Sequence, residues 1–285
     1  MTQAAQQLTA GLYFVAVPIG AARDITLRAL DILASADVLA AEDTRSLRRL
    51  MEIHGVALGG RRVVAYHDHN GERVRPGLLR ALDAGKSVAY ASEAGTPLVA
   101  DPGYQLAREA AAAGHEVTAA PGPSAVLAAL TVAGLPTDRF LFAGFPPTAK
   151  GARRAWLEEL RDIPATLVIY NSPKRVARFL AEAADVLGAE RSAALCRELT
   201  KRFEEVQRGS LAELAQTLAE APVKGEIVLV IDRDRAEAPV EDLDAALSDA
   251  LARMSVKEAA ASVAEALGLP RRTVYQAALR LQKGR

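Results

Sequence analysis

Ser92-Glu93-Ala94-Gly95-Thr96-Pro97-Leu98-Val99-Ala100-Asp101-Pro102-Gly103 is the stretch that decides how this chain is read. The run before it, Ser87-Val88-Ala89-Tyr90-Ala91, is short and continuously apolar, which predicts a buried strand. Residues 104–113 after it predict a helix, stopped by Gly114. The connection is about twice the usual length of a strand-to-helix loop, and it carries two Gly, two Pro and two carboxylates. In an open parallel sheet such loops lie at the carboxyl ends of the strands, where ligands bind. Of the two carboxylates, Glu93 is a site candidate and Asp101 is read as the cap of the following helix.

Working outward, the same unit recurs on both sides. Leu12-Tyr13-Phe14-Val15-Ala16-Val17 is a strand running into Pro18-Ile19-Gly20, and Leu27, Leu30 and Leu33 follow at helical spacing with Asp24 or Thr26 as N-cap. The glycine triplet of a dinucleotide fingerprint is missing, and so is the Gly-Lys-Ser/Thr of a Walker loop. Val38-Leu39-Ala40-Ala41 ends in Glu42-Asp43-Thr44-Arg45, and Val63-Val64-Ala65-Tyr66 ends in His67-Asp68-His69-Asn70. No Cys or third spaced His supports a metal at His67 and His69, so a polar rim that holds substrate is the better reading. Residues 116–120 form a further strand, followed by Pro121-Gly122-Pro123-Ser124-Ala125 and a helix over 126–133. Strand and helix thus alternate about five times, the pattern of a parallel sheet covered on both faces.

From residue 140 the rhythm changes. A basic helix spans 150–161, and strands are expected at 165–170, 193–196 and 226–231. Glu198-Leu199-Thr200-Lys201-Arg202-Phe203-Glu204-Glu205 is too charged to be core, so it is exposed or lines a site. Cys196, the only cysteine, has no His partner nearby and reads as a small buried residue. It also rules out an internal disulfide and a multi-cysteine zinc site.

Composition sets the outer limits. The 285 residues carry 35 basic and 35 acidic side chains, and half are hydrophobic, so a packed core is expected without a globally basic coat. The polar residues 1–10 lack an apolar signal core, and no apolar run is long enough to span a membrane, which makes a cytoplasmic location the expectation. Residues 232–251 have a net charge of minus five and 253–285 a net charge of plus five. The first reads as an acidic linker with a polar helix. The second reads as helix, tight turn, helix, opened by the capping box Ser255-Val256-Lys257-Glu258. Such a unit suits nucleic acid or simple packing equally.

In order along the chain, these motifs resemble the tetrapyrrole methylase superfamily, and within it the ribosomal-RNA methyltransferases. The resemblance rests on Val17-Pro18-Ile19-Gly20 with Asp24-Ile25-Thr26, on Glu42-Asp43-Thr44-Arg45 and on Tyr66-His67-Asp68-His69-Asn70. It continues through residues 92–103, 121–125 and 144–147, Cys196-Arg197-Glu198-Leu199-Thr200-Lys201 and Lys224-Gly225-Glu226. It implies an α/β fold of two α/β domains, 11–120 and 121–232, with a cofactor cleft between them. An acidic linker, 233–252, and a helix-turn-helix-like unit, 253–285, complete it. It also implies a homodimer, S-adenosyl-L-methionine as cofactor, and 2′-O-methylation of a cytidine ribose in the decoding region of 16S ribosomal RNA in the small subunit.

By the same resemblance the cofactor lies against Pro18, Ile19 and Gly20, against Glu93, Ala94, Gly95, Thr96 and Pro97, and against Gly122, Ser124, Ala125 and Tyr170. Glycines 20, 95 and 122 would let the backbone approach it closely. A ribose hydroxyl needs a base, or a cation that stabilises the developing alkoxide. Asp43, His67, Glu93, Asp101, Glu198 and Lys201 are candidates at strand ends; Glu93 with Lys201 opposite is the preferred pair, with Arg197 beside it. Arg45, His67, Arg202, Arg271 and Arg272 are assigned to RNA. Two departures stand out: Ala21-Ala22 where the family usually has Asn-Leu, and Asn171-Ser172-Pro173-Lys174-Arg175 where it usually has Glu-Ser-Pro-His-Arg. Asn171 therefore receives no catalytic role. Two rival functions are methylation of a tetrapyrrole precursor, and DNA binding by a ligand-sensing regulator.

Overall fold

The computed structural model describes residues 8–233, 240–267 and 269–283. The chain forms two compact units, Met1–Asp234 and Arg235–Arg285. Two five-stranded sheets build the first unit.

The first sheet takes β1 (Gly11–Val15), β2 (Val38–Ala41), β3 (Val63–Ala65), β4 (Ser87–Ala91) and β5 (Val117–Ala120) in the order β3-β2-β4-β1-β5. Every pairing is parallel. Helices α1 (Leu27–Ser35), α2 (Thr44–Ile53), α3 (Gly71–Asp83) and α4 (Tyr104–Ala112) cover it on both faces. Alternation along β1 shows why: Tyr13 and Val15 pack with Ile32, Leu33 and Leu47 on one side, Leu12 and Phe14 with Leu78, Leu82 and Leu106 on the other. Strands buried on both faces are continuously apolar, as the sequence reads. Thr26, not Asp24, caps α1, its hydroxyl accepting from the Ala29 N–H at 3.1 Å. All strands point the same way, so the loops after β1, β2, β3, β4 and β5 collect at one edge.

The second sheet is mixed. Along the chain come α5 (Ala125–Ala133), β6 (Phe140–Gly144), α6 (Lys150–Arg161), β7 (Thr166–Asn171), α7 (Val176–Leu187), β8 (Ser192–Arg197), β9 (Glu205–Ser210), α8 (Leu211–Glu220) and β10 (Ile227–Ile231). The strand order is β6-β7-β10-β8-β9; β6 and β7 are parallel and the other pairings antiparallel. One face packs on α6, α7 and α8 through Leu157, Phe179, Leu180 and Leu214. The other packs on α5 and also on Ile19 and Leu199, which come from loops. That second face carries the site.

The unit Arg235–Arg285 contains α9 (Val240–Leu251), α10 (Val256–Ala266) and α11 (Arg271–Lys283). The Ser255–Glu258 capping box forms in both directions. Residues 234–239 of the expected linker lie outside the described residues, but the rest of it is not a solvated spacer. Leu247 is fully buried against Val263, Val274 and Ala278, so α9 is the third helix of this small core. No helix among the described residues is long and apolar enough to cross a membrane.

Candidate active site

Three loops at the carboxyl edge of the first sheet are stitched together by backbone. Val17 and Gly95 exchange both backbone hydrogen bonds, at 2.9 and 3.0 Å. The Thr96 hydroxyl donates to the Pro123 carbonyl at 2.9 Å. Gly95 sits at φ 75°, where an L side chain is strained, and a Cβ there would come within 3.2 Å of the Ile19 Cγ2 and 3.7 Å of the Pro123 oxygen. The loops therefore close with least strain when this position is glycine.

Above them lies a cavity of about 330 Å³. Ile19, Ala94, Gly95, Thr96, Ser124 and Ala125 form one wall; Tyr170, Asn171, Cys196 and Val228 from the second sheet, with Leu199 and Glu226 from its loops, form the other. Phe145 closes the side, its ring edge-on to Tyr170 at 5.3 Å between centroids. Val99 and Asp101 also reach the cavity. Cys196 is buried and its Sγ faces the Ala129 carbonyl; burial pushes its thiol up to about 11, which fits an inert wall residue.

Pro18, Gly20 and Glu93 line a different hollow, an open groove of about 430 Å³ shared with Arg45, Arg49 and Ser92. One loop thus serves two spaces, Ser92 and Glu93 toward the groove and Ala94 to Thr96 toward the cavity. Pro97 and Gly122 line neither and shape the turns; a Cβ on Gly122 would meet the Ala16 Cβ at 3.0 Å. Gly20 has a second duty. A Cβ there would lie 2.5 Å from Lys201 Cγ, 2.7 Å from Thr200 Oγ1 and 3.2 Å from the Leu199 carbonyl oxygen. The Ala21 N–H donates to Thr200 Oγ1 at 3.1 Å, so residues 20–21 are the seat of the 199–201 loop. Gly20→Ala is expected to destabilise the fold by about 1–3 kcal/mol, read by urea denaturation, because the backbone of that loop must move.

The expected Glu93–Lys201 pair is not what the structure builds. Lys201 Nζ donates to Glu198 at 3.0 Å and to Glu226 at 2.9 Å. Partial burial works against its charge, but the bonds to Glu226 and Glu198 win and hold the ammonium above the usual lysine range. Glu198 in turn is held low by the Glu226 N–H and by Lys201. Lys201 is therefore a fixed cation and a poor base. Arg197 places its guanidinium on Glu205, at 2.9 and 2.8 Å, and on the Lys224 carbonyl, which braces β8 against β9.

Arg45 is exposed at the start of α2, beside Asp43, which caps that helix. Arg202 is exposed and lies over the exposed Phe203 ring at 5.5 Å. His67 follows β3 at the same sheet edge, with a buried, unpartnered Nδ1 and its ring 6.0 Å from that of His69. No three His, Cys, Asp or Glu side chains among the described residues are arranged to hold a metal. Arg271 and Arg272 open α11, exposed, in the C-terminal unit.

Two wall residues differ from their reading in the sequence: Asn171, given no role there, and Asp101, a candidate at a strand end also read as a helix cap. Asn171 is only 5 % exposed, its Oδ1 accepts from the Ser172 N–H at 2.9 Å, and its Nδ2 is buried with no partner. A donor left free in a cavity wall is a place for a ligand acceptor. Asp101 does not cap α4. The cap position is Gly103, at φ 127°, and it makes no side-chain bond. The Asp101 carboxyl is instead drawn into the cavity wall, where burial first, and then the charge of Glu42, push it up to about 7. Glu93 and Asp68 add to the rise and a hydrogen bond with Ser92 partly opposes it.

Residues 11–215 match the tetrapyrrole (corrin/porphyrin) methylase family profile. The chain belongs to the tetrapyrrole methylase family. Residues 237–282 match the profile described as the RsmI C-terminal HTH domain. Among methylase relatives, the ribosomal RNA small subunit methyltransferase I of Mesorhizobium japonicum is 48% identical, over 98% of this chain and 94% of its own length. The protein of that name from Escherichia coli O157:H7 is 39% identical over 98% of both. Uroporphyrin-III C-methyltransferase from Thermus thermophilus, solved in complex with S-adenosyl homocysteine, shares the fold. It has a TM-score of 0.52 and 22% identity over 78% of this chain and 97% of that one.

Proposed function

We propose that this methylase uses S-adenosylmethionine to methylate small-subunit ribosomal RNA, at the 2′-hydroxyl of a cytidine in the decoding region. Similarity over nearly the full chain to proteins named ribosomal RNA small subunit methyltransferase I, the C-terminal domain included, carries the reading. Three features of the cavity support a fit to the cofactor: the side-chain-free Gly95 in its wall, a largely apolar lining, and the free Asn171 donor. When bound, S-adenosylmethionine supplies an electrophilic methyl on a sulfonium. Ile19, Ala94 to Thr96, Ser124, Ala125 and Tyr170 would hold it, and Phe145 and Tyr170 would exclude water. Orienting donor and acceptor in one geometry supplies up to about 7–11 kcal/mol of the barrier reduction. Lys201, fixed in charge, would stabilise negative charge developing on the hydroxyl oxygen.

Arg45, His67 and Arg202 are assigned to the RNA around this edge, and Arg271 and Arg272 to phosphates on the C-terminal unit. The assembly proposed is a homodimer, supported by the exposed apolar Leu127 on α5 and Phe140 on β6. Purified protein incubated with labelled S-adenosylmethionine is expected to label small-subunit RNA and not a porphyrinoid precursor. The reverse preference would return the chain to tetrapyrrole chemistry, and sequence-specific duplex DNA binding without methyl transfer would make it a regulator. Removal of the unit from Arg235 onward is expected to weaken RNA binding at least about tenfold and reduce its salt dependence, with cofactor affinity unchanged. Equal losses in both, measured by filter binding and calorimetry, would count against an RNA-binding role for that unit.

A further inference from the structure

Left-handed backbone at non-glycine residues is confined, among the described residues, to two loops. One of them joins β8 to β9, with Glu198 and Thr200 at φ 49° and 63°. Such strain persists only where the surrounding structure enforces it. The enforcement here is dense. The Glu198 N–H donates to the Glu226 carbonyl at 3.0 Å, and the Glu226 N–H donates to the Glu198 carboxylate at 2.9 Å. The Thr200 N–H donates to the Glu204 carboxylate at 2.6 Å, and the Lys201 and Glu204 N–H groups close turns on the Glu198 and Lys201 carbonyls. The bond from Ala21 to Thr200 ties the loop to the edge of the first sheet.

Those bonds use every acid around the loop. Glu198 holds Lys201, Glu204 holds the Thr200 N–H, and Glu205 holds Arg197 and Gln207. Arg202 and Phe203 are left over. Arg202 is exposed, has no ion pair or hydrogen bond among the described residues, and sets its guanidinium over the Phe203 ring at 5.5 Å. Phe203 is 61 % exposed, although the loop that carries it is fixed on both sides. The position is informative as well. Leu199 of this loop lines the cavity, and Gly20, on which the loop sits, lines the groove that holds Arg45 and Arg49. Arg202 and Phe203 therefore ride on the loop that borders both spaces.

We propose that Phe203, with Arg202 stacked on it, is a platform for an unpaired base of the RNA beside the nucleotide that is methylated. This rests on the ribosomal-RNA reading above and names a contact that places the strand. An exposed cation alone asks only for an anion, and an exposed ring alone only for an apolar partner. The two together match a nucleotide, which offers a flat π face and a negative phosphate. An unpaired strand fits better than a duplex. The major groove of an RNA helix is too deep and narrow for side chains to read, so RNA bases are met where they splay out, on aromatic rings and guanidinium planes. Every base has such a face, so the platform positions the strand and leaves the choice of base to other contacts. A loop fixed before binding also avoids the ordering cost that a mobile aromatic would carry, which gives the strain at Glu198 and Thr200 a purpose.

The test compares wild type, Phe203→Ala, Phe203→Trp and Arg202→Gln in binding to small-subunit RNA, both free and within the subunit. Phe203→Ala is expected to lose about 5- to 150-fold in affinity, with the slope of affinity against salt unchanged, because stacking releases no counterion. Phe203→Trp is expected to stay within about threefold of wild type. Its added indole is expected to be quenched by RNA, whereas Trp156, the only native tryptophan, packs against the hydrophobic core. Arg202→Gln is expected to weaken binding and to reduce the salt slope by about 0.7. Methyl transfer at limiting RNA should fall in Phe203→Ala and recover in Phe203→Trp. Calorimetric affinity for S-adenosylmethionine should stay within about threefold, and Tm within about 2 °C, since the ring is exposed. Equal RNA affinity in wild type and Phe203→Ala, or an indole in Phe203→Trp that does not respond to RNA, would overturn the platform. Equal affinity in Arg202→Gln would remove the guanidinium from it. A change of oligomeric state in Phe203→Ala at unchanged RNA affinity would give the ring to a contact between copies instead. Wild type that binds neither form of small-subunit RNA would overturn the ribosomal-RNA reading and not the platform alone.

Discussion

Gly95→Val is expected to abolish S-adenosylmethionine binding, with calorimetric affinity falling by at least about 100-fold. Three costs combine at this residue. A β-branched side chain at φ 75° is a genuine backbone outlier, and such strain costs about 1–3 kcal/mol. Its Cβ would press on Ile19 Cγ2 at 3.2 Å, and Ile19 is itself a wall of the cavity. Relief by moving the loop would break the paired Val17–Gly95 hydrogen bonds that hold two of the three converging loops. Gly95→Ala carries the same backbone strain with fewer atoms and is expected to fall between wild type and Gly95→Val. A melting curve run beside the titration separates loss of the pocket from loss of the fold. Unchanged affinity in a folded Gly95→Val protein would remove the cofactor from this cavity.

Arg153→Met is expected to cost about 3–5 kcal/mol of stability at neutral pH. Arg153 lies on α6 with a side chain only 4 % exposed, and its guanidinium bonds Glu182 on α7 at 2.6 and 2.9 Å. It also donates to the carbonyls of Pro147 and Thr148, at 3.1 and 2.8 Å. Loss of the arginine leaves two carbonyls unpaired and a mostly buried carboxylate with only the exposed Arg178, 4.0 Å away, as its ion-pair partner. The bond to Arg153 holds the Glu182 carboxyl below its ordinary range. That stabilisation is present above the unfolded carboxyl range near 4.5 and is lost as pH falls through the lowered folded value. The gap between wild type and variant, read by urea denaturation, should therefore narrow as pH drops below the 4.5 of the unfolded carboxyl. The loss reaches the site, because the Gly144-Phe145-Pro146-Pro147 turn that Arg153 pins carries Phe145 onto Tyr170. A stability loss below about 1 kcal/mol would contradict this account of the pair.

Wherever local chemistry decides structure, the sequence was legible. The first sheet followed from apolar runs of strand length broken by Gly- and Pro-bearing loops, and the caps at Thr26 and Ser255 from their hydroxyls. What escaped depends on partners far along the chain. Gly20 reads as a cofactor contact, yet its closest pressure comes from Lys201, 181 residues away. The charge of Lys201 is decided by Glu226 as much as by its neighbour Glu198. Strand β9, Glu-Val-Gln-Arg-Gly-Ser, lies at a sheet edge and shows no apolar alternation to read. Helix α9 is polar by charge count, yet Leu243, Leu247 and Leu251 recur every fourth residue and give it an apolar face that packs into the small core. Asp101 stands two residues before α4, where Asp is a common cap, and only the turn made by Leu98 and Ala100 redirects it.

The central claim is most directly tested by mapping 2′-O-methyl groups on small-subunit ribosomal RNA from cells with and without this gene, through resistance of the methylated linkage to alkaline cleavage. The expected result is one cytidine in the decoding region that resists cleavage when the gene is present and is cleaved when it is deleted. An identical map in both strains, or the loss of a base methyl in place of a ribose methyl, would contradict it.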